Sequence, residues 1–204
     1  MGNIKSIWVI PIVLVVAVVL VLFWGKGQYN TLVTQDEAVK TAWSQVENQY
    51  QRRSDLIPNL VNTVKGYADH ERTTLERVIE ARAKATQMTV DPSNLDAASL
   101  RRFQSAQGEL GNALSRLLVV MEQYPELKAN ENFLELQAQL EGTENRIAVE
   151  RKRFNETAQQ YNTTIRSFPT TLVASLLGFQ LRPYFTADAA AQTAPTVNFG
   201  GSGQ

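Results

Sequence analysis

Residues 7–24 read IWVIPIVLVVAVVLVLFW, a run of eighteen residues without a charged side chain. A helix of this length extends about 27 Å, which matches the hydrocarbon thickness of a bilayer. Trp8 and Trp24 stand near its two ends and Lys26 follows, and these residue types favour the boundary between lipid and water. The run is longer than the apolar part of a usual signal peptide, and no small-residue cleavage site follows it. The sequence therefore predicts a retained membrane anchor over residues 1–27, with a single span at about 7–24.

The composition of the remaining residues 28–204 narrows the function. They carry 18 basic and 20 acidic residues, so there is no electrostatic reason to expect a nucleic-acid partner. The chain has no cysteine, which excludes thiolate metal sites, thiol catalysis and disulfides. Lys5 and the amino terminus precede the span while Lys26 and Lys40 follow it, so equal positive charge on the two sides leaves the orientation in the membrane open.

Beyond the anchor, apolar residues recur every three or four positions, as on one face of a helix. The pattern is clearest at Leu100, Phe103, Gln107, Leu110, Leu114, Leu117, Met121 and Tyr124. It predicts helices at about 28–55, 59–87, 96–124 and 130–167. Four helices of similar length with short connections favour an all-α fold, an antiparallel four-helix bundle with long, coiled-coil-like helices over residues 28–168.

Proline and capping residues mark the predicted breaks. Pro58 removes a backbone donor and disfavours helix at the preceding residue, so we expect a turn there, with Asp55 capping the second helix. One long kinked helix through Pro58 is the alternative, because the apolar spacing nearly continues across it. Asn130 is expected to begin the last long helix, and Pro169 to close it.

Two polar groups interrupt the apolar faces and predict an internal network. They are Arg52, Arg53, Asp55 and Asn59 near Pro58, and Glu141, Glu144, Asn145 and Arg146 in the last long helix. Buried polar groups need partners and can fix the register of helices, so we favour a structural network over a ligand site. With a turn at Pro58, the first group lies at a bundle tip and is separate from the second.

The sequence offers no constellation for catalysis. His70, the single histidine, is followed by Glu71, but Thr74 stands where a zinc motif needs its second histidine. There is also no glycine-rich phosphate loop and no marked nucleophile with a base. We therefore expect no enzymatic activity, no catalytic residue, no metal and no cofactor.

An even number of passes brings the fourth helix back to the membrane, so we expect residues 169–185 to lie close to it. Their apolar and aromatic residues suit an interfacial amphipathic segment, and closing the bottom of the bundle is the alternative. The predicted interface residues are Phe179, Arg182, Tyr184 and Phe185. Residues 186–204 are predicted to be a flexible tail. Within it Thr196, Val197, Asn198 and Phe199 form a candidate docking segment, against the alternative of a merely disordered end.

Several motifs resemble the LemA family in the right order along the chain. They are YNTLV at 29–33, AW–QVE–QYQRR–DLIPNLV–TVKGYADHE within 42–71, EQYPELKAN at 122–130, LEGTENRIA at 140–148, YN at 161–162 and FP at 168–169. The resemblance implies a bacterial single-pass membrane protein with a helical-bundle domain and no established enzymatic activity. It also implies links with membrane shaping or membrane proteases.

These observations lead to two hypotheses for function. The first is a non-enzymatic scaffold, anchored in the bacterial cytoplasmic (inner) membrane, that self-associates and organises or remodels the bilayer. The second is an adaptor that presents its bundle to another membrane protein, such as a protease or a sensor. The expected partners are thus the lipid bilayer, further copies of the chain, and in the second case another membrane protein.

Overall fold

Helix α1 runs unbroken from Ile4 to Lys65 in the computed structural model, which describes residues 4–186. The membrane span and the first helix of the bundle are therefore one element of 62 residues. The prediction of a turn at Pro58 is therefore wrong, and the alternative, one long helix through Pro58, is correct. Asp55 accordingly caps nothing; its carboxylate accepts a hydrogen bond from the Gln51 side chain one turn earlier (2.8 Å).

A contact from another helix explains how Pro58 is tolerated. Proline has no N–H, so the carbonyl oxygen of Ser54, four residues earlier, loses its partner within the helix. The Nε of Arg82 donates to this oxygen over 2.9 Å and replaces the missing bond. Ile57, directly before the proline, is buried in the core. Tertiary contacts thus outweigh the local preference for a break.

The remaining elements follow in short connections. They are a 3₁₀ turn Asp69–Glu71, α2 Arg72–Gln87, a 3₁₀ turn Pro92–Asn94, α3 Ala97–Met121, α4 Pro125–Lys128, α5 Glu131–Arg166 and α6 Thr170–Leu176. Asp96 caps α3 in a capping box with Ser99, and Asn130 caps α5 by accepting from the N–H of Phe133 (3.1 Å). The expected start of the last long helix is therefore confirmed.

The four long helices form the predicted all-α bundle. Helix α5 packs antiparallel along α1, and α2 pairs with α3 on the other side. Because α1 continues seven residues beyond Pro58, α2 is shorter than expected, and the chain reverses near Gly66 instead. No strand occurs among residues 4–186.

The buried apolar side chains divide into two clusters along the bundle axis. The membrane-proximal cluster is centred on Trp43, whose indole contacts the rings of Phe103 and Phe154. The distal cluster includes Leu60, Leu117 and Leu140 and fills the end remote from the span. A layer of polar side chains separates the two clusters.

Candidate functional site

The span leaves its apolar side chains exposed. Among the described residues, α1 is the one helix long and apolar enough to cross a membrane, with a mean hydropathy of 2.6 in its most apolar window. Trp24 and Lys26 are exposed at its bundle end, the position expected for interface residues. Trp8 lies in α1, but its side chain is outside the described part of the structure.

Helix α6 returns to the foot of the bundle beside the span. The hydroxyl of Thr170 donates to the side-chain oxygen of Gln28 over 2.9 Å. Gln28 follows Trp24 by four residues, or about 6 Å along the helix axis. Gly178, at a φ of 75°, ends α6, and the N–H of Phe179 bonds to the carbonyl of Ala174 (3.0 Å). The chain is thereby turned away from the membrane.

Residues 179–186 then run back along the bundle, and we call them the return strap. Its Arg182 guanidinium binds Asp36 of α1 (Nη2 to Oδ1, 2.6 Å), and both side chains are largely buried. Asn162 of α5 binds the backbone of Arg182 twice, accepting from its N–H and donating to its carbonyl, each over 2.8 Å. The strap is therefore fixed to both α1 and α5.

The path of the return strap contradicts part of the predicted membrane interface. Phe185 is only 6% exposed, and its ring stacks on Trp43 with centroids 5.9 Å apart. Trp43 lies nineteen residues beyond Trp24, or about 28 Å along the helix axis, so Phe185 is remote from the bilayer. Phe179, by contrast, packs edge-on to Tyr29 of α1, five residues beyond Trp24, and stays at the end of the bundle near the span.

The two polar residues of the predicted set are also engaged by the bundle. Arg182 is ion-paired with Asp36, and Tyr184, though partly exposed, accepts a hydrogen bond from Asn162 through its hydroxyl (2.9 Å). The expectation failed because aromatic and basic residues that follow an apolar segment suit a bundle groove as well as a headgroup region.

Two ionisable side chains beside the return strap, Asp36 and Tyr161, have shifted pKa values. Burial favours protonation of Asp36, but hydrogen bonds from Arg182 and Lys40 outweigh it and hold the pKa of Asp36 below its usual value. Burial also raises the pKa of Tyr161, and with the nearby carboxylate of Asp36 it brings that pKa to about 12. At neutral pH Arg182 of the strap therefore faces the charged carboxylate of Asp36, and the neighbouring phenol of Tyr161 stays protonated.

The polar layer between the two apolar clusters is built on Arg53, and we call it the Arg53 layer. Arg53 is 3% exposed, and its guanidinium donates to the carboxylate of Glu144 on α5 (2.7 Å). It also donates to the side-chain and backbone oxygens of Gln107 on α3. The amide of Gln107 in turn donates to the carbonyl of Ala85 on α2 (3.4 Å). All four long helices are thus joined at one level.

The observed network contains only Arg53 and Glu144 of the predicted residues, and it also contains Gln107, which was not predicted. Its two halves meet, contrary to the expectation that they are separate, because unbroken α1 places Arg53 at mid-bundle, opposite Glu144. Six of the predicted residues lie exposed on the surface instead: Arg52, Asp55, Asn59, Glu141, Asn145 and Arg146. Gln107 was assigned to the apolar face of α3 and its polar role was missed. The sequence signal for this role is the polar amide of Gln107 at a position of the α3 repeat that is otherwise apolar.

A cleft of about 480 Å³ opens beside the Arg53 layer, between α3 and α5. Its lining includes Tyr50, whose ring lies 5.1 Å from the Arg53 guanidinium carbon, and Arg151. The terminal nitrogens of Arg53 have Glu144 and Gln107 as partners, while its buried Nε has no partner among the described residues. Because these bonds connect different helices, the layer has the character of a structural joint.

The described residues hold no arrangement that suggests catalysis. Among them, no group of three or more histidine or acidic side chains is placed to hold a metal ion. His70 is exposed near the distal tip, and Glu71 accepts a hydrogen bond from the hydroxyl of Tyr124 (3.1 Å). The candidate docking segment Thr196–Phe199 lies outside the described residues.

A span that continues into an all-α bundle defines a class, the membrane-anchored helical-bundle proteins. Comparison with known families makes this specific: the profile of the LemA family matches residues 42–199, and the chain belongs to this family. The expected resemblance is thereby confirmed.

Individual relatives agree with this assignment. Magnetosome protein MamQ 2 of Paramagnetospirillum magneticum is 28% identical, over 94% of this chain and 76% of its own length. Magnetosome protein MamQ of Magnetospirillum gryphiswaldense is 27% identical over the same shares. Protein LemA of Metamycoplasma hominis is 25% identical, over 74% of this chain and 65% of its own. None of these names denotes an enzyme, and together with the apolar span the relatives indicate a membrane location.

Proposed function

We propose that this protein is a non-enzymatic, membrane-anchored helical scaffold that self-associates at the bacterial cytoplasmic membrane and organises or remodels it. The observation that carries the proposal is the continuity of α1, which joins the span to the bundle without a flexible linker. Any force on the bundle is therefore transmitted to the membrane. The magnetosome relatives support this role, because their names refer to a structure and not to a reaction.

Confinement in a membrane favours self-association. Copies held in one plane meet at a high effective concentration, so weak contacts between their bundles become sufficient. A rigid joint to the span adds to this effect, because it limits the orientations in which two bundles meet.

The groove between α2 and α3 is the surface we assign to contact with a second copy. It measures about 730 Å³, and its floor is apolar, with Ala81, Ala113 and Val120. Its rim carries charges of both signs, namely Arg77, Lys84 and Arg116 with Glu80 and Glu109. Two copies in one bilayer stand parallel, so the groove can pair with itself across a twofold axis along the membrane normal, with α2 of one copy facing α3 of the other.

Cysteine cross-linking tests this assignment, because the natural chain has no cysteine. Val119→Cys places a thiol at the α2–α3 groove, and Val149→Cys places one on α5; the two valines are 68% and 62% exposed. The full-length variants would be reconstituted in vesicles and oxidised. We expect a disulfide-linked dimer from Val119→Cys and much less from Val149→Cys.

The other outcomes distinguish the hypotheses. Equal cross-linking of both variants would contradict the groove as the contact surface. A protein that stays monomeric at high density in the vesicles would overturn the scaffold. A cross-linked band in cells that contains a different, heavier protein would favour the adaptor role, with the bundle presented to a membrane protease or sensor.

A further inference from the structure

Helix α6 has two faces of opposite character. Thr170 and Ala174, one turn apart, are buried against the bundle. Leu172 and Leu176, also one turn apart, point outward, and Phe168 extends the same stripe one turn earlier. Leu176 is 85% exposed and Phe168 is 81% exposed. We call Phe168, Leu172, Leu176 and the adjacent exposed Leu177 the α6 patch.

The position of the α6 patch is fixed by its contacts with α1. The bond between Thr170 and Gln28 places α6 about 6 Å beyond Trp24, the last residue of the apolar run. This depth lies within the headgroup region, since headgroups add about 5–8 Å to each side of the hydrocarbon. The α6 patch therefore lies at the end of the bundle from which the span emerges.

The charge pattern around α6 agrees with contact to lipid. Residues 157–181 contain no acidic residue, and Arg166 is their single basic one. Burial of α6 in a headgroup layer therefore desolvates no carboxylate of its own segment, and the nearest carboxylates, those of Asp36 and Asp96, lie in the cleft beside Leu177. Lys26 of α1 lies at the same end and can reach the phosphates.

We propose that the α6 patch inserts into the bilayer that holds the span, so that the bundle rests on the membrane through a second, interfacial contact. Short amphipathic segments bind at this depth through their apolar face, and here the span already holds α6 next to the lipid. The contact residues differ from those expected from the sequence, because the return strap holds Arg182 and Phe185 against the bundle. The proposal rests on the membrane anchoring in the proposed function and not on self-association.

Three single-cysteine variants of the full-length chain test it. Leu176→Cys reports on the α6 patch, Phe23→Cys on the span and Val119→Cys on the distal half of the bundle, and all three native side chains are exposed. Each would carry an environment-sensitive fluorophore and be reconstituted in phosphatidylcholine vesicles. A second set of vesicles would contain lipids with a nitroxide at headgroup depth.

We expect the probe at residue 176 to emit at shorter wavelength and to be quenched by the nitroxide lipids, like the probe at residue 23. The probe at residue 119 should remain unquenched. A probe at residue 176 that is neither blue-shifted nor quenched would overturn the proposal while leaving the scaffold intact. A blue-shifted probe that escapes quenching and loses its shift when the protein is reconstituted at a lower protein-to-lipid ratio would show instead that a second copy covers the patch, which would overturn the proposal. Absence of quenching at residue 23 would refute the anchor itself.

Discussion

At the scale of single residues, Arg53 is the buried side chain that connects α1 to both α3 and α5. It carries a charge between two apolar clusters and is held there by Gln107 and Glu144 from two other helices. A buried ion pair of this kind gives little net stability over an apolar replacement, but removal of one partner is costly. The pair instead fixes the register of the helices, because a shift of one turn in α1 or α5 would separate the Arg53 guanidinium from Glu144.

A double-mutant cycle measures this coupling. Arg53→Met leaves the side-chain oxygen of Gln107 without its donor, and we expect the free energy of unfolding to fall by about 2 kcal/mol. Glu144→Gln should cost about 1 kcal/mol, because Glu144 is half exposed and water can replace part of the contact. The double variant should cost less than the sum by about 1 kcal/mol.

Arg52→Met is the matched control for the cycle, since Arg52 is the exposed neighbour on the same helix. Its effect should stay within about 0.5 kcal/mol. Denaturant unfolding of the reconstituted protein supplies all four values. Equal costs for Arg52→Met and Arg53→Met would contradict the role assigned to the layer.

Tyr161 predicts a loss of stability in alkali. Its pKa of about 12 in the folded protein exceeds the value of about 10 in an unfolded chain. The stabilisation is complete below about pH 10 and is lost as the pH rises towards about 12, because only the unfolded chain ionises in that window. Tyr161→Phe cannot ionise, so its unfolding free energy should fall less steeply there. Denaturation at several alkaline pH values checks this, and identical slopes would refute it.

At the scale of elements, the junction of α1 with α2 holds the main difference between expectation and structure. The apolar spacing predicted helical segments on both sides of Pro58 correctly, and Asn130 marked the start of α5. Local signals could not reveal that Arg82, 28 positions from Ser54, replaces the bond that proline removes. The true turn lies near Gly66, and a single glycine within a helical pattern is a weaker turn signal than a proline.

A second double-mutant cycle tests whether Arg82 replaces the hydrogen bond that Pro58 removes from α1. Arg82→Met should destabilise the protein by about 1 to 2 kcal/mol, because the Ser54 carbonyl loses its remaining partner. In a Pro58→Ala background the N–H of residue 58 can bond to that carbonyl, so Arg82→Met should cost clearly less. Arg77→Met, an exposed arginine on the same helix, is the control. Equal costs of Arg82→Met in both backgrounds would disprove the compensation.

At the scale of the whole molecule, the all-helical class and the bundle followed from periodicity, while the surface at the membrane did not. The sequence placed residues 169–185 near the bilayer as one segment. The structure separates them into α6, beside the span, and the return strap, which is bonded to Asp36 and Asn162. Such long-range pairings have no periodic signature, so composition alone could not distinguish the two parts.

The proposed division of the chain at residue 27 can be tested with a fragment of residues 28–204. Its core begins at Leu32, so we expect the fragment to stay helical and to unfold cooperatively without lipid. Circular dichroism and thermal unfolding supply the measurement. A fragment of residues 44–204 also lacks Leu32, Val39 and Trp43 of the membrane-proximal cluster and should lose its cooperative transition. Loss of folding in the longer fragment would show that the anchor is part of the domain.

The unbroken α1 also makes the protein a mechanical lever. From Trp24 to Lys65 the helix reaches about 60 Å beyond the bilayer, so a change of about 10° in the tilt of the span moves its far end by about 10 Å. Spans tilt to match the thickness of the lipid around them. A small change in bilayer thickness is therefore converted into a large sideways displacement at the distal tip, where a neighbouring molecule can respond to it.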